Sequence, residues 1–238
     1  MTGADYYSLT ALPALDLPGA APPLSLSELL RQIPPGRAHV LVRTVLLAED
    51  LLQREAFQAG ELAAPEPVVL TPEQARGEAP LPPELEPPPS DGTARALPAD
   101  VVWESYYGHA AAIAHTMRSP FLQEWVAMEV RLRNELARVR AHALGLQAAP
   151  YLVATAVQGG AADVEAALNA WLDAPDPLTG LRALISARWR WIEQHEPLYT
   201  FAADEFAVYA ARLALLHRWR RTATARARWR SPPGGKPE

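Results

Sequence analysis

The chain has 238 residues, no cysteine and a formal net charge of −5 at pH 7. The lack of cysteine excludes a disulfide framework, a thiolate metal site and a cysteine nucleophile. No apolar run approaches the roughly 18 residues that a spanning helix needs, and the N-terminus lacks the pattern of a signal peptide, so we expect a soluble, cytoplasmic protein. Acids dominate up to Asp100 and arginines after it. The net negative charge argues against a nucleic-acid partner.

The first sixty residues predict a docked segment followed by two helices. Residues 5 to 24 contain several prolines, which predicts an extended conformation. Ser25 and Glu28 have capping-box spacing, which predicts a short helix ending near Ile33. A longer helix is predicted over residues 37 to 60. Its β-branched beginning would also fit a strand, but the length of the apolar pattern favours a helix.

The middle of the chain, residues 61 to 99, is dense in proline and acidic residues. Such a composition offers little apolar surface to bury, which predicts a loop or a partly disordered linker. A proline-rich run could also be a ligand for a proline-recognition domain, but a solvated spacer is the favoured interpretation. Deletion of residues 65 to 95 is therefore expected to change thermal stability little.

The strongest periodic signal lies in residues 121 to 145, which we call the central helix. Its apolar residues recur at steps of three and four, and a second apolar row lies beside the first. We therefore expect the central helix to be packed on two sides. Gly145 is placed to end it. Asp100 is the predicted N-cap of the helix before it, which should end at Ser119 and Pro120.

Three further helices are predicted after the central helix, over residues 162 to 174, 178 to 196 and 201 to 221. Asp176 followed by proline gives a cap for the second of them. Residues 147 to 160 fit either irregular structure or a short helix. The predicted fold is an all-α, multi-helix bundle with an extended N-terminal segment and a proline-rich, partly disordered middle linker. Its parts are the N-terminal segment and helices (1–60), the linker (61–99), the main helical bundle (100–230) and a disordered tail (231–238).

Motifs for catalysis or cofactor binding are missing from the sequence. There is no glycine-rich dinucleotide fingerprint or phosphate-binding loop, and no histidine lies in a zinc or di-iron motif. We therefore expect no enzyme activity, no cofactor and no metal site. The tryptophans on the predicted helices fit core packing better than an aromatic ligand box: Trp103, Trp125, Trp171, Trp189 and Trp191.

Glu129 lies between the two apolar rows of the central helix, where an unpaired charge is costly. Arg133 is one turn further and could pair with it locally. Arg188 lies on the inward stripe of its own helix and could reach Glu129 from there. The hypothesis is an ion pair between Glu129 and Arg188; the alternative is local pairing of Glu129, with Arg188 extending to solvent.

An arginine run near the C-terminus begins with Arg218, Arg220 and Arg221. On a helix these residues spread around the circumference, which does not fit an amphipathic membrane helix. Three interpretations remain: a solvated helix end, a docking site for an acidic protein surface, and nonspecific contact with nucleic acid.

Several short motifs occur in a recognisable order. An N-terminal YY-x-L-x-x-LP precedes the short L-S-x-x-E-L-L helix. W-E-x-x-Y (Trp103, Glu104, Tyr107) follows, then F-L-x-E-W-x-x-x-E-x-x-L-R-N-x-L in residues 121 to 136 and R-W-x-W-I-E in residues 188 to 193. This order resembles the family known as domain of unknown function 2764, which is encoded in bacterial V-type ATPase operons. The resemblance covers roughly residues 6 to 30 and 101 to 221.

The resemblance implies a non-catalytic component of a bacterial V/A-type rotary ATPase, a machine that transports protons or sodium ions. In helical character the chain is similar to a shortened C-type subunit (d-type in eukaryotes), the part of the central stalk that joins the rotor shaft to the membrane ring. The implied partners are rotor and membrane-ring subunits, and the implied location is the cytoplasmic face of the membrane, reached through protein partners. Two alternatives are an assembly or regulatory factor for that ATPase and an unrelated helical-bundle enzyme or binding protein, which would have an enclosed polar pocket.

Overall fold

The structure, a computed structural model, describes residues 3–87, 95–157, 164–197, 200 and 202–230. Over these ranges the chain forms α-helices and two single 3₁₀ turns but no β-strand, which confirms the predicted all-α, multi-helix fold. No helix in the described ranges is both long enough and apolar enough to cross a membrane. Residues 231–238, the predicted disordered tail, lie outside the described residues.

The helices are α1 (Gly3–Thr10), α2 (Leu26–Gln32), α3 (Arg37–Gln58), α4 (Pro72–Arg76), α5 (Pro98–Thr116), α6 (Pro120–Ala143), α7 (Glu165–Leu172), α8 (Pro177–His195) and α9 (Ala203–Arg230). The 3₁₀ turns are Pro83–Leu85 and Ala149–Tyr151. The second of these turns lies in the segment for which the sequence left irregular structure and a short helix open.

Helix α6 is the predicted central helix, and it is packed on two sides as expected. Both of its apolar rows are buried over the first four turns: Phe121, Trp125, Met128, Leu132 and Leu136 in one row, and Leu122, Val126 and Val130 in the other. Gly145 follows the helix with φ of 67°, a left-handed conformation that glycine adopts without steric cost. Asn134 of α6 also binds the connection that follows the helix. Its side-chain amide donates to the carbonyl of Val153 at 2.9 Å and accepts from the N–H of Val153 at 2.9 Å.

Helices α3 and α9 pack against each other more extensively than any other pair of described elements, and α5 also packs on α3. Leu41 and Leu46 of α3 share one hydrophobic core with Leu213 and Leu216 of α9. Helix α3, which the sequence analysis assigned to the N-terminal part, therefore packs directly against two helices that it assigned to the main bundle. The sequence suggested a division because the proline-rich segment follows α3 directly.

The N-terminal segment is not wholly extended, because α1 is helical. The prolines that argued against a helix begin only at Pro13 and do not constrain the residues before it. From Leu12 onward the segment is docked as predicted. Leu12 and Leu15 pack against the core, and the hydroxyl of Tyr209 donates to the carbonyl of Pro13 at 2.8 Å. The capping box of Ser25 and Glu28 at the start of α2 is confirmed.

The described part of residues 61 to 99 is mostly loop, as predicted, but it is anchored to the bundle and is not a solvated spacer. Leu70, Ala75 and Leu85 are buried in the protein. The carboxylate of Asp50 on α3 accepts hydrogen bonds from the backbone N–H groups of three consecutive residues, 68 to 70, at 2.6 to 2.8 Å. Gln53 adds two hydrogen bonds to the backbone of Glu66. A few specific anchors therefore hold a segment whose average composition is that of a spacer.

The predicted helix cap is present at α8 but differs at α5. Asp176 caps α8 by accepting from the N–H of Thr179 at 2.9 Å, as predicted. Asp100 is not the N-cap of α5, because the helix begins two residues earlier, at Pro98. Proline suits this first position since its missing N–H would have no partner in the helix. Asp100 instead lies in the first turn, is buried, and binds Arg133 of α6.

Candidate functional site

Two of the carboxylates inside the bundle join helices at its centre, and the first is Glu129 on α6, whose side chain is 13 % exposed. Arg188 of α8 donates from Nε to Oε1 of Glu129 at 2.5 Å and from a terminal nitrogen to Oε2 at 2.9 Å. The predicted contact between these two residues is therefore present, as a bidentate pair. The alternative of local pairing is wrong, because Arg133 binds Asp100 at 3.0 Å instead.

The second buried carboxylate is Glu49 on α3, whose side chain is 0 % exposed. Two arginines of α9 bind it: Arg218 through Nε, and Arg221 through a terminal nitrogen at 2.7 Å. Sequence reasoning missed this site. A signal was available, because Glu49 falls on the inward row of α3, three and four residues after the buried Leu46 and Val45.

These pairs decide the protonation of both acids. Burial opposes ionisation of Glu49, but the guanidinium groups of Arg218 and Arg221 outweigh it and hold the pKa of Glu49 below its ordinary value. Burial likewise opposes ionisation of Glu129, and Arg188 outweighs it, so the pKa of Glu129 is also lowered. Both carboxylates are therefore charged at neutral pH, and each depends on its arginines to remain so inside the protein.

Helix α5 contributes a cluster of three aromatic residues next to these charges. The ring centroids of Trp103, Tyr106 and Tyr107 lie 5.2 to 5.6 Å apart. The indole of Trp103 donates to Glu55 of α3 at 2.9 Å, and the hydroxyl of Tyr106 donates to the carbonyl of Thr44 at 3.1 Å. The aromatic cluster thereby fixes α5 against α3 through both packing and hydrogen bonds.

A cavity of about 380 Å³ lies between these elements, and we call it the charged cavity. Helices α3, α5 and α6 supply most of its walls, with single arginines from α8 and α9. Its charged lining residues are Glu55, Asp100, Glu129, Arg133, Arg140, Arg188 and Arg218. Tyr106, Tyr107 and Trp103 line it as well, together with leucines and alanines of the surrounding helices. The size and the mixture of apolar and polar groups are those of a small-molecule site.

The three arginines predicted as a docking site have different surroundings. Arg218 is mostly buried and Arg221 is partly so, and both bind Glu49 inside the protein. Arg220 is exposed. Arg218 and Arg221 thus have a structural role that the sequence did not reveal, although Arg221, like Arg220, is exposed on the surface.

The predicted core role of the tryptophans is confirmed for three of them, since Trp103, Trp125 and Trp189 are buried. Within the described ranges, no group of three or more histidine, aspartate or glutamate side chains is arranged to hold a metal ion. Comparison with protein-family models finds no match, and no curated protein and no solved structure matches the chain.

Proposed function

We propose that this chain is a non-catalytic component of a bacterial V/A-type rotary ATPase, acting like the C-type subunit as an adaptor of the central stalk between rotor shaft and membrane ring. The proposal starts from the ordered motifs of the sequence. It is supported by the place that these motifs occupy in the fold, because motifs far apart in sequence meet at one point.

The observation that carries the proposal is the junction of Glu129 and Arg188. Glu129 belongs to the motif of residues 121 to 136, and Arg188 begins the motif R-W-x-W-I-E, yet their side chains form a bidentate pair. The third motif meets them there, since Arg133 lies over the ring of Trp103 at 4.8 Å. Motif residues that contact one another describe a shared structural core, which is what a family of structural subunits would keep in common.

The helical body also suits an adaptor that transmits force. Buried ion pairs join α6 to α8 and α3 to α9, and each pair is costly to separate inside the protein. Because sliding of these helices past one another would separate the ion pairs, the pairs oppose that motion. Arg220 and Arg221 are exposed on α9 and add positive charge to that part of the surface, which favours contact with an acidic surface on a neighbouring protein of the machine.

The test is an affinity pull-down of the tagged chain, expressed with its genomic neighbours, followed by native mass spectrometry. Rotor-shaft and membrane-ring subunits should be retained at fixed stoichiometry. Recovery of partial complexes alone would replace the adaptor by an assembly or regulatory factor. Recovery of the chain by itself from gently solubilised membranes would refute both proposals.

Arg220→Glu provides a surface variant for the same experiment. Its side chain is exposed, so the reversal should leave the fold intact while weakening retention of the partner proteins. The matched control is Arg138→Glu, which reverses another exposed arginine, on α6. Equal retention by both variants would exclude Arg220 from the docking surface.

A further inference from the structure

The charged cavity is apolar over most of its wall. Alanines of α3 and α6 line it, together with Leu52, Leu136 and the rings of Trp103, Tyr106 and Tyr107. Its volume of about 380 Å³ is large enough for a small organic molecule. A packed helical bundle normally leaves few voids larger than a water molecule, so the fold alone does not require a cavity of this size.

The mouth of the cavity is apolar as well. In the described ranges seven large hydrophobic side chains are exposed, and three of them, Leu97, Leu144 and Leu146, line this cavity. Leu144 is 72 % exposed. Single exposed leucines are ordinary on a protein surface, but a group of them beside one cavity indicates a binding site. The three leucines therefore offer apolar contacts to a molecule that enters the cavity.

The buried charges in the wall are paired with one another. Glu129 binds Arg188 through two hydrogen bonds, and Asp100 binds Arg133 at 3.0 Å. Each of these four residues lines the cavity, and each has its counter-ion there. A buried ion pair is strongly destabilised when one partner is removed, so these charges are held by the protein itself.

The other three charged residues of the wall also have contacts inside the protein. Arg218 binds Glu49, which lies outside the lining. Glu55 accepts a hydrogen bond from the indole of Trp103 at 2.9 Å, and Arg140 lies over a tryptophan ring at 5.3 Å. A charged ligand would lose hydration on entry and would have to compete with one of these contacts to gain a partner. An uncharged molecule bears neither cost.

We propose that the charged cavity binds a small, uncharged organic molecule with a largely apolar body. The body packs against Leu52 and Leu136 inside the cavity and against Leu97, Leu144 and Leu146 at its mouth, while the ion pairs in the wall stay intact. This site is separate from the proposed docking of the chain in a rotary ATPase, and neither depends on the other.

Isothermal titration calorimetry of the full chain with octan-1-ol tests the site, with octanoate and octylammonium as charged molecules of the same chain length. Octan-1-ol should bind at one molecule per chain with a Kd below about 1 mM. Both ions should bind several-fold more weakly, because each loses hydration without gaining a free counter-ion. Titrations at several temperatures should give a negative heat-capacity change for octan-1-ol, the signature of apolar burial.

Two results of these titrations would overturn the proposal. Octan-1-ol that does not bind saturably at about 1 mM would show that the cavity is no specific site for an apolar molecule. Equal or tighter binding of either ion would overturn the assignment of an uncharged ligand.

Two variants assign octan-1-ol binding to the cavity. Ala137 lines the cavity, so Ala137→Phe should fill part of it and weaken binding about tenfold or more. The matched control is Ala143→Phe, at an exposed position of the same helix outside the lining.

Leu144→Ser acts at the mouth of the cavity, where the exposed side chain can be replaced without harm to the fold. It should weaken octan-1-ol binding several-fold, because it removes apolar contact. Leu181→Ser, at another exposed leucine outside the lining, should leave the affinity unchanged. Equal affinities in Leu144→Ser and Leu181→Ser would refute the proposed location, even if Ala137→Phe did not fold.

Discussion

Replacement of Arg188 by methionine should destabilise the protein strongly, because it leaves Glu129 without its partner in the interior. The two side chains are only 12 % and 13 % exposed and share two hydrogen bonds, at 2.5 and 2.9 Å. Removal of one member of such a buried pair typically costs about 3 to 5 kcal/mol. Arg188→Met should therefore lower the free energy of unfolding by that amount at neutral pH.

A double-mutant cycle separates the ion pair from the packing of its side chains. Glu129→Leu should also be destabilising, since it leaves Arg188 buried and unpaired. The double variant should be far more stable than the sum of the single changes predicts, because well-packed apolar residues can replace a buried pair at little cost. Urea unfolding followed by circular dichroism at 222 nm measures all four free energies.

The control is an exposed pair on the same helix, Glu135 and Arg138, whose side chains are 33 % and 46 % exposed. Arg138→Met should change the free energy of unfolding by less than about 1 kcal/mol, as expected for an ion pair in contact with solvent. If Arg188→Met costs no more than Arg138→Met, or if the changes at Glu129 and Arg188 are additive, the reasoning about the buried pair is refuted.

Three further predictions concern the anchored middle segment and α9. Burial raises the pKa of Asp50 to about 6. The contribution of Asp50 to the free energy of unfolding is therefore complete below about pH 4 and falls by about 3 kcal/mol as the pH rises through 6. Urea unfolding from pH 4 to 8 measures this decline, and Asp50→Asn should remove it. Leu85→Ala should lower the free energy of unfolding by about 2 to 5 kcal/mol because the side chain is buried. Leu17→Ala, at an exposed position, should lower it by less than about 0.5 kcal/mol. Arg218→Glu should lower the thermal midpoint markedly because it places a second carboxylate beside the buried Glu49, and Arg220→Glu should leave the midpoint nearly unchanged.

Each of these predictions has an outcome that contradicts it. Identical pH profiles for the wild-type chain and Asp50→Asn would show that Asp50 does not titrate near pH 6. A loss below about 0.5 kcal/mol for Leu85→Ala would mean that the middle segment is not packed. Equal thermal midpoints for Arg218→Glu and Arg220→Glu would show that Glu49 is not held by α9 in solution.

Structural features that depend on a local sequence pattern were predicted well. The two apolar rows of α6 and the capping residue Asp176 each produce a local signal, and both are present in the structure. The pairing of Glu129 with Arg188 could also be predicted, because each charge interrupts an apolar stripe and a buried charge needs a partner. The same reasoning, applied to the inward row of α3, would have identified Glu49.

The middle segment could not be predicted, because its order depends on another helix. Asp50 accepts three hydrogen bonds from the backbone of residues 68 to 70, and backbone groups leave no mark in a sequence. Leu85 is a single leucine among prolines and acids, and Leu70 ends a run of only three apolar residues, so neither has a period that would indicate burial. Composition therefore underestimated the order of this segment, and deletion of residues 65 to 95 should destabilise the protein rather than leave it unchanged.

The charged cavity also could not be predicted, since it is formed by residues of five helices that come together only in the folded chain. Tyr106 and Tyr107 are adjacent in the sequence, but nothing there shows that the hydroxyl of Tyr106 donates to the carbonyl of Thr44 on α3.

The most direct test of the proposed function is cryo-electron microscopy of the rotary ATPase purified through a tag on this chain. The adaptor proposal predicts one helical body, with α3, α6 and α9 as its longest helices, in density between the rotor shaft and the membrane ring. An intact ATPase without density for the chain at that position, or with the chain bound elsewhere on the complex, would contradict the proposal.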